Sequence, residues 1–355
     1  MLRLSRHIGS TIFLSIAVAL LVLVGLDVVA AIIDEAGDVR RNYHFSDALI
    51  YVGTKLPSTI YEYIPFSSLI GCLFGLGMLA SSSEVVVMRA SGISLLRIVY
   101  FVLRPVMLFV VLAVTIGEYF SPYLDQLAEG RREYLRKGES ALDSSSGLWN
   151  REGSEFMHFN AVFPGGVLFG VSRFQFAEDR SLQEASFSSR ATFNASENLW
   201  VEENVSITRF TEDRTEAEKK ITRRWESELT PEVLTVNILP PEALSIRSLN
   251  QYIDFLEHQN TDNQLYKLAF WTKVLQPLVI IGLVLLGISF VFGPLRESTM
   301  GFRIFIGVVV GVGFRIIQDM LGPFSIVFGF PPLLAVLLPV LFCVLVGLML
   351  LRRSG

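Results

Sequence analysis

The sequence predicts an α-helical polytopic membrane protein, six transmembrane helices with an inserted all-β domain between the third and the fourth. Six apolar runs each reach the ~20 residues a helix needs to cross a bilayer. They fall near Thr11–Ile33, Ile60–Ala80, Ile98–Phe120, Phe270–Phe292, Gly301–Leu321 and Leu333–Leu351. Between the two sets of three, residues 121–269 are polar, and from about Leu142 to Val236 the periodicity drops toward two. Hydrophobic residues make up 51% of the chain, above the soluble norm. Six crossings return the chain to its starting side, so the polar middle lies wholly on one face.

Arginines in the short loops set the orientation. Arg3 and Arg6 precede the first run, Arg89 and Arg97 lie between the second and third, Arg296 and Arg303 between the fourth and fifth, and Arg352 and Arg353 follow the sixth. Cytoplasmic loops collect Lys and Arg, so both termini are expected in the cytoplasm and 121–269 outside. Arg40 and Arg41 are the exception, on the outer side with Asp34, Glu35 and Asp38. The first run reads as a span and not as a cleaved leader, because its apolar core is long and Asp27 interrupts it.

Several function classes drop out. A net charge of −4 gives no nucleic-acid signal. Cys72 and Cys343 sit inside apolar runs and read as small buried hydrophobes, not a disulfide. The chain has no phosphate-binding loop and no metal-spaced His/Cys set, and its four histidines are scattered. We therefore expect no catalytic residues, metal or cofactor in this chain. Active movement of a cargo would draw on a partner or on an ion gradient.

Within the insertion, Phe156–Phe163, Val167–Phe176, Ala185–Phe193, Leu199–Phe210 and Lys219–Trp225 read as short strands separated by turn clusters. Their spacing suits a sandwich, jelly roll or barrel, with a bulge near Ser172–Arg173. Ser245–His258 follows as an amphipathic helix. Such a domain is either a docking module or a groove for apolar cargo, with Phe159, Phe169 and Ile207 as inner positions that hold acyl chains or fill a dry core.

The loop after the second run predicts a cytoplasmic helix over about 82–92. Ser81–Ser83 would cap it, Glu84 would lie in its first turn, and Gly92 would stop it. The helix is mostly apolar, with Met88 and Arg89 beside Glu84. It suits a protein partner, or else rests on the lipid surface. Gly71-x-x-x-Gly75 and Gly307-x-x-x-Gly311 permit close helix packing, within the chain or between subunits.

Charges at membrane depth are functional candidates by default. Asp27, Glu62, Glu118, Arg315 and Asp319 qualify, with Arg315 and Asp319 spaced to pair on one helix face. Asp27 and Glu118 lie toward the outer leaflet and would border an aqueous cavity, and an ion-coupled transporter would use Asp27, Glu118 or Asp319. Arg40, Arg41, Lys55, Arg131, Arg132, Arg136 and Lys137 cluster toward the outer side. They suit lipid phosphate or are solvated surface charge. A scaffold that recruits partners through the β-domain is a third reading.

The residues also carry a resemblance over essentially the whole length. It runs through Ile8-Gly9-Ser10-Thr11-Ile12-Phe13, Leu76-Gly77-Met78-Leu79-Ala80, and Ser83-Glu84-Val85-Val86-Val87-Met88-Arg89-Ala90-Ser91-Gly92. It continues at Gly147-Leu148-Trp149, Gln276-Pro277 and Phe290-Val291-Phe292-Gly293-Pro294-Leu295-Arg296. The chain resembles the LptF/LptG family, the inner-membrane permeases of the lipopolysaccharide export transporter, and looks more like its G branch.

The resemblance implies a heterodimer with an LptF-like permease, docked on an LptB-like ATPase dimer that binds the ATP and Mg, with an LptC-like single-span protein. It implies lipopolysaccharide as cargo, the bacterial inner membrane as location, and a periplasmic jelly roll as the β-domain. Glu84 falls where the family has its coupling-helix acid, and Arg132 where it has a basic position bordering the substrate cavity. Lysines found in some relatives at the outer end of the first helix are absent; Ala31 and Gly37 stand near those places. The expected domains are 1–136, 137–244 and 245–355.

Overall fold

The computed structural model describes residues 2–39, 43–137, 148–163, 165–177, 179–211, 214–227, 229–231, 234, 240–258, 262–294 and 298–354. The first three long helices are α1 (Leu2–Ala36), α2 (Phe45–Ser81) and α4 (Leu95–Thr115), with the short α3 (Glu84–Ala90) before α4. A π-helical turn, Ile116–Phe120, joins α4 to α5 (Ser121–Lys137). Strands β1 (Leu148–Glu152), β2 (Glu155–Phe163), β3 (Val167–Phe176), β4 (Leu182–Asn194), β5 (Leu199–Phe210) and β6 (Thr215–Trp225) follow. Then come α6 (Ile246–His258), α7 (Gln264–Phe292), α8 (Met300–Phe328) and α9 (Pro332–Ser354).

All six predicted spans are present among the described residues: α1, α2, the α4–α5 rod, α7, α8 and α9 each have the length and composition to cross a membrane. Most run past their apolar runs, because a helix already nucleated extends cheaply into polar sequence. The chain forms two compact units.

The first unit comprises Met1–Ala30, Leu56–Ser121 and Ser245–Gly355. Its core joins Ile12 and Ile16 of α1 to Leu69, Leu73 and Leu76 of α2 and to Leu283 and Val284 of α7. α9 packs along α7. Outward-facing Leu14, Leu21 and Leu26 on α1 stay exposed, a surface suited to lipid and not to water.

The second unit comprises Ala31–Lys55 and Pro122–Leu244. Its helical ends therefore group with the sheet. Packing explains this. A Cβ on Gly130 of α5 would lie 2.7 Å from the Val162 carbonyl oxygen, and Tyr134 meets Phe163 edge-on.

The expected all-β insertion is one antiparallel sheet in the order β1-β2-β3-β4-β5-β6. Each strand pairs with the next, so the likeness to a jelly roll lies in its antiparallel strands and not in Greek-key crossings. One face buries Met157, Phe159, Leu168, Val171 and Trp200, and Trp200 stacks on Trp225 with centroids 5.9 Å apart. Phe159 and Ile207 are almost fully buried, as in a dry core; Phe169 is half-buried against Tyr134.

The bulge expected near Ser172–Arg173 lies instead at Gln175/Phe176; Ser172 and Arg173 pair in step with both neighbours. Arg173 is there for another reason. It reaches the fully buried Glu202 at 3.0 Å and covers the Trp225 ring at 4.7 Å. Burial pushes the Glu202 carboxyl above its ordinary range, outweighing the pull of Arg173 and Arg223.

Candidate functional site

The basic group expected at the outer side is a paired collar. Arg132 on α5 lies 2.8 Å from the Glu35 carboxylate on α1 and 3.0 Å from Asp38, and its guanidinium covers the Tyr51 ring at 4.8 Å. Lys55 on α2 reaches Glu129 at 2.9 Å, and the Tyr51 hydroxyl donates to the same oxygen at 2.7 Å. Arg131 pairs with Asp47 at 3.0 Å. Glu35 is 6% exposed and also accepts from the Tyr43 hydroxyl at 2.8 Å. Burial first, and then the Glu35 carboxylate, hold the Tyr43 phenol well above its ordinary pKa. Arg40 and Arg41 lie outside the described residues, as do the side chains of Arg136 and Lys137.

The three described cations thus already neutralise carboxylates of their own chain. What the collar does chemically is fix three helix ends to one another. A buried ion pair is costly to break because it strands the surviving charge.

α3 occupies the predicted cytoplasmic helix and is shorter than 82–92. Its start differs from expectation. Ser83 adopts a left-handed backbone (φ 60°) and makes no side-chain cap hydrogen bond. Ser82 Oγ donates to Glu84 Oε1 at 3.0 Å instead. The stop at Gly92 is as expected: its φ is +80°, its amide bonds to the Arg89 carbonyl and the Ile93 amide to that of Met88.

On α3, Glu84 is partly exposed and lies 3.0 Å from His7 Nε2 on α1. Met88, expected at the docking face, is buried in the core with Val85; three residues apart, the two share the inward stripe. The outward apolar residues are Val86 and Val87, 56% and 62% exposed. Arg89 is partly exposed beside them.

All four packing glycines serve contacts with α2 inside the chain. A Cβ on Gly71 would sit 2.4 Å from the Ile16 Cα, and one on Gly75 2.9 Å from Ser15 Oγ. One on Gly307 would meet Leu73 at 2.6 Å, and one on Gly311 would touch Phe66 at 3.4 Å.

The charges at membrane depth are also engaged. Arg315 pairs with Asp319 at 2.9 Å, as the spacing predicts, and with Glu62 at 2.6 Å. Asp27 accepts from the Tyr63 hydroxyl at 2.9 Å. Glu118, in the π-turn, accepts from the first amides of α6, Ile246 at 2.7 Å and Arg247 at 3.3 Å.

Sequence reasoning missed two buried cations. Lys273 sits inside the predicted run Phe270–Phe292, where a lone lysine was the available signal; it donates to the Gly117 carbonyl at 3.4 Å. Arg303, counted with a cytoplasmic loop, is buried on α8 and donates to the Gly77 carbonyl at 3.0 Å.

Comparison with known proteins meets this architecture along its whole length. The family model described as lipopolysaccharide export system permease LptF/LptG matches residues 6–353. The LptG permease protein of Escherichia coli K12 is 34% identical over 354 residues, 99% of this chain and 98% of that one. The LptG of Haemophilus influenzae Rd is 32% identical over 352 residues, again 99% and 98%. With six apolar helices, an inserted antiparallel sheet and a match that spans them all, this chain belongs to the LptF/LptG family of lipopolysaccharide export system permeases.

Proposed function

We propose that this chain is the non-catalytic permease subunit of an ATP-driven transporter that extracts lipopolysaccharide from the bacterial inner membrane and passes it to a periplasmic bridge. The observation that carries the reading is the full-length family match on a six-span fold with its β-domain between two three-helix halves. The partners are an LptF-like permease, an LptB-like ATPase dimer that binds ATP and Mg, and an LptC-like single-span protein. The loop arginines support cytoplasmic termini and a periplasmic β-domain.

The physics suits the cargo. Taking one myristoyl-sized chain out of lipid costs on the order of 10 kcal/mol at ~0.8 kcal/mol per CH₂. A lipid with several chains leaves only if apolar protein replaces the bilayer as it goes, and an external energy source drives the step. α3 offers the contact for that source: Val86 and Val87 point outward and Glu84 supplies an acid for a basic partner. Cargo phosphate would meet the collar by displacing a carboxylate from a guanidinium, and Arg131 is the most exposed of its three described cations.

Co-purification from native membranes tests the reading by naming both the bound proteins and the bound lipid. We expect a second permease, an ATPase and lipopolysaccharide together. Recovery of the chain with none of them contradicts it.

A further inference from the structure

Two helices of the first unit lose regular hydrogen bonds beside one small pocket, whose lining includes Tyr61, Gly117, Glu118, Ile246, Lys273 and Gln276. In α2, Pro65 has no N–H, so the carbonyl four residues earlier, that of Tyr61, has no helical donor. In the π-turn, the Ser121 amide bonds back to the Ile116 carbonyl. The next donor in that register would be Pro122, which has none, so the Gly117 carbonyl is left over as well.

Both orphaned carbonyls are met from one turn of α7. Gln276 Nε2 donates to the Tyr61 oxygen at 3.1 Å, and Lys273 Nζ donates to the Gly117 oxygen at 3.4 Å. Lys273 also lies over the Tyr61 ring, 5.5 Å from its centroid. The contact is close by design: a Cβ on Gly117 would come within 2.4 Å of that ring. An unbonded carbonyl at membrane depth is expensive, and broken helices persist there when neighbours satisfy them.

We propose that Lys273 and Gln276 are positioning residues, paired struts that hold the breaks in α2 and α4 and make this level the hinge at which both helices bend during extraction. The proposal rests on the permease reading above. The π-turn transmits the bend further, since Glu118 caps α6, and α6 packs onto α7, where Tyr252 meets Tyr266 edge-on at 4.7 Å.

The test combines Gln276→Leu with Pro65→Ala in the reconstituted complex with its ATPase and second permease, reading Tm and lipopolysaccharide released per ATP. Gln276→Leu alone lowers Tm by about 2–4 °C, the loss of one hydrogen bond in a chain of this size, and cuts release per ATP several-fold. In the Pro65→Ala background the Tyr61 carbonyl regains a donor in its own helix. Gln276→Leu then leaves Tm unchanged, while release per ATP stays low because the break itself is gone. Lys273→Arg keeps a donor and keeps release; Lys273→Met loses release.

Equal Tm losses in both backgrounds, normal release with Lys273→Met, or release restored by the double change each overturn the struts. A wild-type complex that releases no lipopolysaccharide counts against the permease reading instead, and the Tm cycle, which needs no cargo, then decides the struts alone.

Discussion

Arg132 Nε stands 2.8 Å from the Glu35 carboxylate, tying α5 to the end of α1 across 97 residues of sequence (132 − 35). The guanidinium is about one-fifth exposed and the acid almost wholly buried. That changes what its loss should do. Arg132→Ala leaves Glu35 with only part of its compensation, and breaking such a pair costs about 3 kcal/mol. Thermal unfolding of the purified chain should show the drop, and adding Glu35→Gln should recover much of it. An unchanged Tm with lost lipid loading would make Arg132 a phosphate ligand and not a strut.

The glycine contacts separate by position. Gly71→Ala drives a methyl into the Ile16 backbone and should cost about 1–3 kcal/mol. Gly313, with open space around it, should tolerate alanine to within about 0.5 kcal/mol. Unfolding midpoints of the two variants decide the matter; equal losses would mean that α1 does not pack on Gly71.

Glu84 has two candidate tasks, holding His7 and meeting the ATPase. Truncating one member of a desolvated interface pair costs about 2–5 kcal/mol, whereas an exposed pair within the chain is worth under about 1 kcal/mol. We predict that Glu84→Ala weakens ATPase retention, that Glu84→Lys does so more severely, and that His7→Ala does neither. Retention matched in His7→Ala and Glu84→Lys would reduce Glu84 to a local contact.

Two acids of the β-domain, the partly exposed Glu184 and the fully buried Glu202, titrate in opposite senses. Burial raises Glu184, but Arg223 and Arg209 outweigh it and hold the carboxyl below its ordinary range. Its stabilisation is present above about pH 4.3, the unperturbed glutamate value, and is lost as pH falls through the lowered pKa. Glu202 is raised, so its contribution is full at low pH and is lost as pH rises through the raised pKa. Unfolding followed by tryptophan fluorescence, with Trp200 and Trp225 in the core, should show Glu184→Gln flattening the acid side of the profile and Glu202→Gln the side above it. A profile unchanged by either substitution contradicts both assignments.

The spans were legible because membrane helices announce themselves by length and apolarity, which are local properties. Five strands were legible for the same kind of reason, their alternation. β1 escaped because five residues hold too little pattern, and the start of β6 because Glu216, Glu218 and Lys220 are all exposed, so an edge strand shows no apolar face. The collar was half legible. Its cations could be read, but the acid partners that tie them to other helices lie 74 (Lys55 to Glu129) to 97 residues away (132 − 35, Arg132 to Glu35), and no local rule links such pairs. Lys273 was hidden differently: a hydropathy average absorbs one lysine, and the carbonyl it serves lacks a helical donor because the π-turn register falls on Pro122.

The most direct test of the whole account is ATP-dependent release of lipopolysaccharide from vesicles that hold this chain with the proposed second permease, ATPase and single-span partner. We predict release that requires ATP and requires this chain, with no hydrolysis by the chain alone, since it has no phosphate-binding loop. Release that proceeds equally without the chain, or robust hydrolysis by the pure chain, would contradict it.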